Sequence, residues 1–273
     1  MLNIPDKEEI SIHELGSWKI KEGSWLFSKE SFIDYVLSLI KELNPELQNI
    51  YTYSQKVVNG VRIGEGGTGT VYKENKTIPH GLFPEKVDGD SVNLFYKLDE
   101  VYYLVKTNIF SDGTITLSRL EDPVQLSVEE FEGLAMQGMI TTVVPLNARV
   151  HIYGLGSFTV DECFYSISLT DKLLQIKDVF RELRGELSTL DICREAHQDY
   201  LDNPTADNKE KLRISYEAVP SHHRRYVGDM DVKDTQVRMI LYGKQEVEGW
   251  SHYQVAQAMG EQLPTINIPD SND

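Results

Sequence analysis

The chain has 273 residues, 27 basic and 43 acidic, for a formal charge of −16, with 40% hydrophobic and 10% aromatic residues. That composition supports a buried core and excludes global disorder. The two cysteines, Cys163 and Cys193, are too few for a disulfide framework or a cysteine-rich zinc site.

Taken from the N-terminus, Asp6, Glu8 and Glu9 make the start of the chain unlike a secretory signal. No later run approaches the ~20 apolar residues of a membrane span, so a cytoplasmic location is expected. Residues Ile10 to Phe27 read as short strands around a Gly23-Ser24 turn, with Trp18, Ile20, Trp25 and Phe27 alternating. Ser28 then caps a helix carrying Phe32, Val36, Leu39, Ile40 and Leu43 at helical spacing, and Asn44-Pro45 stops it. Asn59-Gly60 signals a hairpin, and a polar loop runs from Lys73 to Asp90.

The clearest β unit spans Val92 to Ile140. Alternation on either side of Asp99-Glu100 predicts a hairpin, Asp112-Gly113 turns into a third strand, and Val124 to Leu126 makes a fourth. Ser127 and Glu130 form a capping box for a short helix that ends at Gly138. Strands at Thr141–Val144 and Val150–Tyr153 follow, with Gly154-Leu155-Gly156-Ser157-Phe158 read as a turn. A meander closed by a short helix points to a small SH3-like β-barrel. Beyond Ser168, Leu169, Leu173, Ile176, Phe180, Leu183, Leu187 and Leu190 form a heptad seam, predicting one long helix to Tyr200. A second helix from Thr205 or Asp207 would complete a helical hairpin, and the tail from Pro264 reads as extended. The expected organisation is α+β: a mixed region at 1–87, a barrel-like module at 88–160 and a helical region at 161–273.

Two stretches carry candidate chemistry. Gly64, Gly66, Gly69 and Val71 fit G-x-G-x-x-G-x-V, and this ribbon resembles the glycine-rich loop of protein kinases. The resemblance implies a phosphate-contacting loop at Gly64, Gly66, Gly67 and Gly69. It covers about ten residues. No H-R-D, D-F-G or A-P-E element accompanies it, and Lys73 and Lys76 lie in a polar loop. The second stretch is His222 to Asp234. One reading is a recognition surface, with Arg224 and Arg225 binding a carboxylate or phosphate beside Tyr226 and His252. The other is a metal-assisted phosphoester hydrolase using Asp229, Asp231, Asp234, His222 and His223; the spacing is not that of a calcium loop.

No complete catalytic template occurs. The leading expectation is a non-enzymatic binding or regulatory protein acting through protein–protein contacts, as an accessory factor in a larger assembly, with no cofactor. A homodimer through the 169–190 seam is a second possible contact. General nucleic-acid binding is disfavoured by the charge.

Overall fold

The computed structural model describes residues 8–45, 53–58, 61–66 and 87–269. They divide into two compact units, one of the described residues between 25 and 66 and one of 8–24 and 87–269. In the smaller unit, helix α1 (Lys29–Leu43) starts as expected at Ser28, whose hydroxyl accepts from the Ser31 amide, and ends at Asn44. Strands β3 (Tyr53–Val58) and β4 (Val61–Gly66) pair antiparallel from Val58 opposite Val61. That is the pairing Asn59-Gly60 calls for, although those two residues lie outside the described set, as does most of the polar loop.

The larger unit is built on a curled, mixed sheet, a half-barrel of nine strands among the described residues, followed by helices. Strands β1 (Glu9–Ile12) and β2 (Gly16–Trp25) form a hairpin whose turn lies at residues 13–15. Gly23 and Ser24 sit inside β2: the extended pairing overrides a local turn signal. Strands β5 (Gly89–Leu98) and β6 (Val101–Phe110) pair along their full length. Asp99 and Glu100 both take positive φ between them, the twist that a two-residue hairpin loop needs. Strands β7 (Ile115–Ser118) and β8 (Val124–Leu126) continue the meander into helix α2 (Val128–Met136), with the Ser127–Glu130 capping box in place. Strand β9 is only Ile140–Thr141 and returns to β5.

Two features depart from a simple meander. Strand β10 (Arg149–Ile152) lies parallel to β6. Strand β11 (Gly156–Ser166) runs back antiparallel to β10 and is flanked on its other side by β2. The stretch read as a turn at Gly154–Phe158 is therefore a turn only through Leu155, after which the longest strand of the sheet begins. This pairing carries the sheet across the expected 87/88 boundary, and the 160/161 boundary falls within β11. Both faces of the curl are buried. Val92, Leu94, Val105, Ile109 and Ile115 face Phe131 of α2 and Ile176, Val179 and Phe180 of the helix that follows β11. On the opposite face Trp18 meets Phe95 edge-to-face at 5.3 Å.

That following helix corrects the heptad expectation. The seam is split between α3 (Leu169–Leu183) and α4 (Thr189–Asp202). Gly185 takes φ +74°, which ends a helix at little steric cost, and Ser188 then caps α4 by accepting from the Asp191 amide. The α3 half of the seam is spent on the sheet: Ile176 and Phe180 are buried there, with Leu169, Leu173 and Leu183 against them. Helix α4 packs instead with α5 (Ala206–Ala218) and α6 (Thr235–Tyr242), through Cys193, Tyr200, Leu212, Tyr216, Val237 and Ile240. The α4–α5 pair is the expected helical hairpin. Helix α7 (Ser251–Met259) ends at Gly260, and the extended tail lays Ile268 on the α4–α6 core. No helix among the described residues is long and apolar enough to cross a membrane.

Candidate functional site

The β1–β2 turn puts Glu14 in the left-handed region, at φ +50°, where a non-glycine residue costs about 1 kcal/mol or more. Contacts from distant elements hold it there. Lys172 of α3, fully buried, donates to the Glu14 carbonyl oxygen and, at 2.7 Å, to Gln175 Oε1. Lysine only donates, so this fixes the amide orientation of Gln175. Gln175 Nε2 then donates to Glu14 Oε2 at 2.7 Å.

Two consecutive histidines close the network from the other side. His222 Nε2 lies 3.2 Å from Gln175 Oε1, and His223 Nε2 lies 3.5 Å from Glu14 Oε1. Because Oε1 can only accept, Nε2 of His222 carries the proton. His222 Nδ1 is then a bare acceptor, buried and without a hydrogen-bond partner among the described residues. The backbone here is tied down: Asp171 accepts from the Ser221 amide at 2.9 Å and its hydroxyl at 2.7 Å. Arg224 donates to the carbonyls of Val219 and Glu217, and Arg194 donates to that of Tyr226.

Each charge responds to this setting. The hydrogen bond from His223, helped by Gln175 and working against burial, draws the Glu14 carboxyl down to about 2. Burial lowers Lys172 to about 8, with Glu14 opposing. For Asp171 burial pushes upward, but the hydrogen bonds from Ser221 and Ser168 outweigh it and hold the group below the usual carboxylate range. Burial, then His223 and Lys172, pull His222 down to about 4. A base depressed by folding stays neutral in the native protein while the unfolded chain takes up a proton. Wild-type stability is therefore expected to fall as pH drops from the ordinary histidine value of ~6.5 towards 4. Between pH 7 and 5 the loss from this group is about 1–2 kcal/mol after allowing for solvent screening. Urea denaturation at pH 7, 6 and 5 checks it: H222Q should show a shallower slope, and an unchanged slope contradicts the assignment.

Two clefts share Glu14 and His223 as a wall. One, about 330 Å³, is bordered by Asp90, Gln175, Asp178 and Tyr226. The other, about 470 Å³, is bordered by Ser11, Ser17, Tyr165, His222 and Arg225. Of the candidate recognition residues, Arg225 and Tyr226 reach these clefts. Arg224 is consumed by backbone carbonyls, and His252 is exposed on α7 against the Trp250 ring at 5.2 Å.

The hydrolase candidates separate. Asp229 accepts from the amides of Asp231 and Val232 in its own turn. The carbonyl of Asp231 takes the indole N–H of Trp250, and Asp234 accepts from Tyr216 Oη at 2.6 Å. The histidines face Glu14 and Gln175. Among the described residues no three His, Cys, Asp or Glu side chains are grouped to hold a metal ion. Asp229 is thus engaged in its own turn and Asp234 with Tyr216, apart from His222 and His223. In the glycine ribbon, Gly64 and Gly66 are ladder residues of β4, paired with Gln55 and Tyr53; Gly67 and Gly69 lie outside the described residues. Glu14, Lys172 and Gln175 escaped the sequence reading because nothing local marks them.

Residues 1–47 and 77–187, more than half of the chain, match the model of a domain of unknown function, DUF7638. The chain belongs to the DUF7638 family. Residues 188–265 match a second domain of unknown function, DUF7639. The division falls between Gly185 and the α4 cap at Ser188, so the network joins Glu14, Lys172 and Gln175 of the DUF7638 region to His222 and His223 of the DUF7639 region. No curated protein and no solved structure matches the chain.

Proposed function

We propose that this chain is a non-enzymatic binding protein that engages a protein partner at the two clefts along the DUF7638–DUF7639 seam. One observation carries the reading: Glu14, Lys172, Gln175 and the two histidines are linked in a network across the seam, while the clefts beside it stay open and each presents an exposed aromatic ring. Tyr165 is 55% and Tyr226 43% exposed. Such amphipathic rings supply contact area at low entropic cost. The hydroxyls at the edge of the larger cleft, Ser11 and Ser17, bond to each other and to Glu9, and Ser221 is bound to Asp171.

Under this reading the β5–β8 meander with α2 serves as the SH3-like module suggested by its alternation, and Asp90 to Val92 of β5 form part of one cleft. A partner contact through the 169–190 seam would compete with the packing of α3 on the sheet, so we place the contact at the clefts. An aqueous, reducing compartment fits the two free thiols. The test is site-specific photo-crosslinking in cells expressing the full chain. A photoreactive residue at Tyr165 or Tyr226 is expected to give one discrete adduct. The same residue at Tyr153, which is also exposed, should not. Adducts of equal yield at all three positions, or none, count against the reading.

A further inference from the structure

We infer that the larger cleft captures the C-terminal carboxylate of a partner chain, with the last side chain of that partner seated against the Tyr165 ring. The inference rests on the binding reading above and gives it a ligand chemistry.

Ile12, Leu15 and Ile167 close the bottom of the cleft with their side chains covered, and its accessible apolar surface is the Tyr165 ring. The cationic end is Arg225. Its guanidinium stacks on the Tyr226 ring at 5.0 Å and has no carboxylate partner among the described residues. The adjacent Arg224 is turned to the carbonyls of Val219 and Glu217 and stacks on Tyr216. A stacked guanidinium keeps its in-plane N–H fork free, which suits a carboxylate. His222 and His223 border the same space.

The net charge of −16 decides between anions. Repulsion grows with ligand charge, and Glu14 and Asp171 lie close by. A monoanionic carboxylate is therefore favoured over a dianionic phosphate. An acidic side chain would bring charge without the apolar group that the exposed Tyr165 ring accommodates. A chain terminus ending in an aliphatic residue supplies both. A volume of about 470 Å³ suits one to three residues.

The experiment follows the histidine ring signals of the full chain by NMR while titrating N-acetyl-Ala-Ala-Val, its C-terminal amide, and inorganic phosphate, each into the millimolar range. The free acid is expected to shift the His222 and His223 signals saturably, and the amide should bind about tenfold or more weakly. R225Q should lose a similar factor, and R225K, which keeps the charge without the fork, should fall between. Equal binding of acid and amide, an R225Q variant that binds as wild type, or no saturable shift overturns the inference. Stronger binding by phosphate than by the free acid overturns the carboxylate assignment. If only this inference fails, the Tyr226 crosslink survives in R225Q; if the binding reading fails, no crosslink forms in wild type.

Discussion

Gly228→Ala is expected to destabilise the protein by roughly 3 kcal/mol or more, an overpacking cost at the upper end for a single methyl group. A Cβ on Gly228 would sit 1.6 Å from the backbone carbonyl oxygen of Lys233, so no side-chain rotation relieves it. The turn from Gly228 to Asp234 would have to open. It holds three linked features: the Asp229 side-chain bonds to two amides, Lys233 at φ +55°, and the Asp231 carbonyl that receives the Trp250 indole. Opening it strands a buried donor, because Trp250 is 8% exposed. For a chain of this size the melting temperature should drop by roughly 6–12 °C. Gly133→Ala is the control: nothing lies within 4 Å of the added carbon, and helix propensity favours alanine in α2 by about 0.5–1 kcal/mol. Equal melting temperatures for the two variants would refute the tight-turn account.

Lys172→Met is expected to cost about 2–4 kcal/mol at pH 7, because it removes the donor shared by the Glu14 carbonyl and Gln175 and leaves both acceptors inside the protein. The pH dependence separates this from a packing defect. Folding lowers Lys172 to about 8, below the ordinary lysine value of ~10.4. As pH rises through 8 the native protein releases this proton before the unfolded chain does, and the wild type gains stability until about pH 10.4. The variant lacks the group, so the gap between wild type and K172M should widen from pH 8 to pH 10. Urea midpoints at pH 7, 8, 9 and 10 check this. A gap that stays constant would mean that the ammonium is not desolvated by folding.

What the sequence disclosed is what its chemistry expresses within a few residues. The caps at Ser28 and Ser127, the Asp99-Glu100 and Asp112-Gly113 turns, and the end of α2 at Gly138 all depend on local chemistry between a residue and its neighbouring backbone, and they stand in the structure where they were expected. Gly185 shows the limit of periodicity. The heptad spacing runs unbroken across it, yet one left-handed glycine followed by a capping serine turns a single seam into two helices with different partners. Strand β11 was hidden because Gly154 and Gly156 look like punctuation, while its length is set by β10 and β2 on either side. The site was half legible. His222, His223 and Arg225 stood out by density of chemistry. Their true neighbours, Glu14 and the Lys172–Gln175 pair, lie some 200 and 50 residues away in the chain. Of the aspartates that looked like their partners, Asp229 serves its own turn and Asp234 serves Tyr216.

The placement of β2 beside β11 also has a consequence for synthesis. The β1–β2 hairpin leaves the ribosome well before its flanking strand, which begins about 130 residues later; at 5–20 residues per second this is a wait of roughly 7–26 s. During that interval Ile10, Trp18 and Ile20, all buried in the finished protein, have no sheet to enter. The nascent chain therefore carries an unsheltered apolar ribbon throughout that interval. Fragments that stop short of Gly156 should need a chaperone to stay in solution.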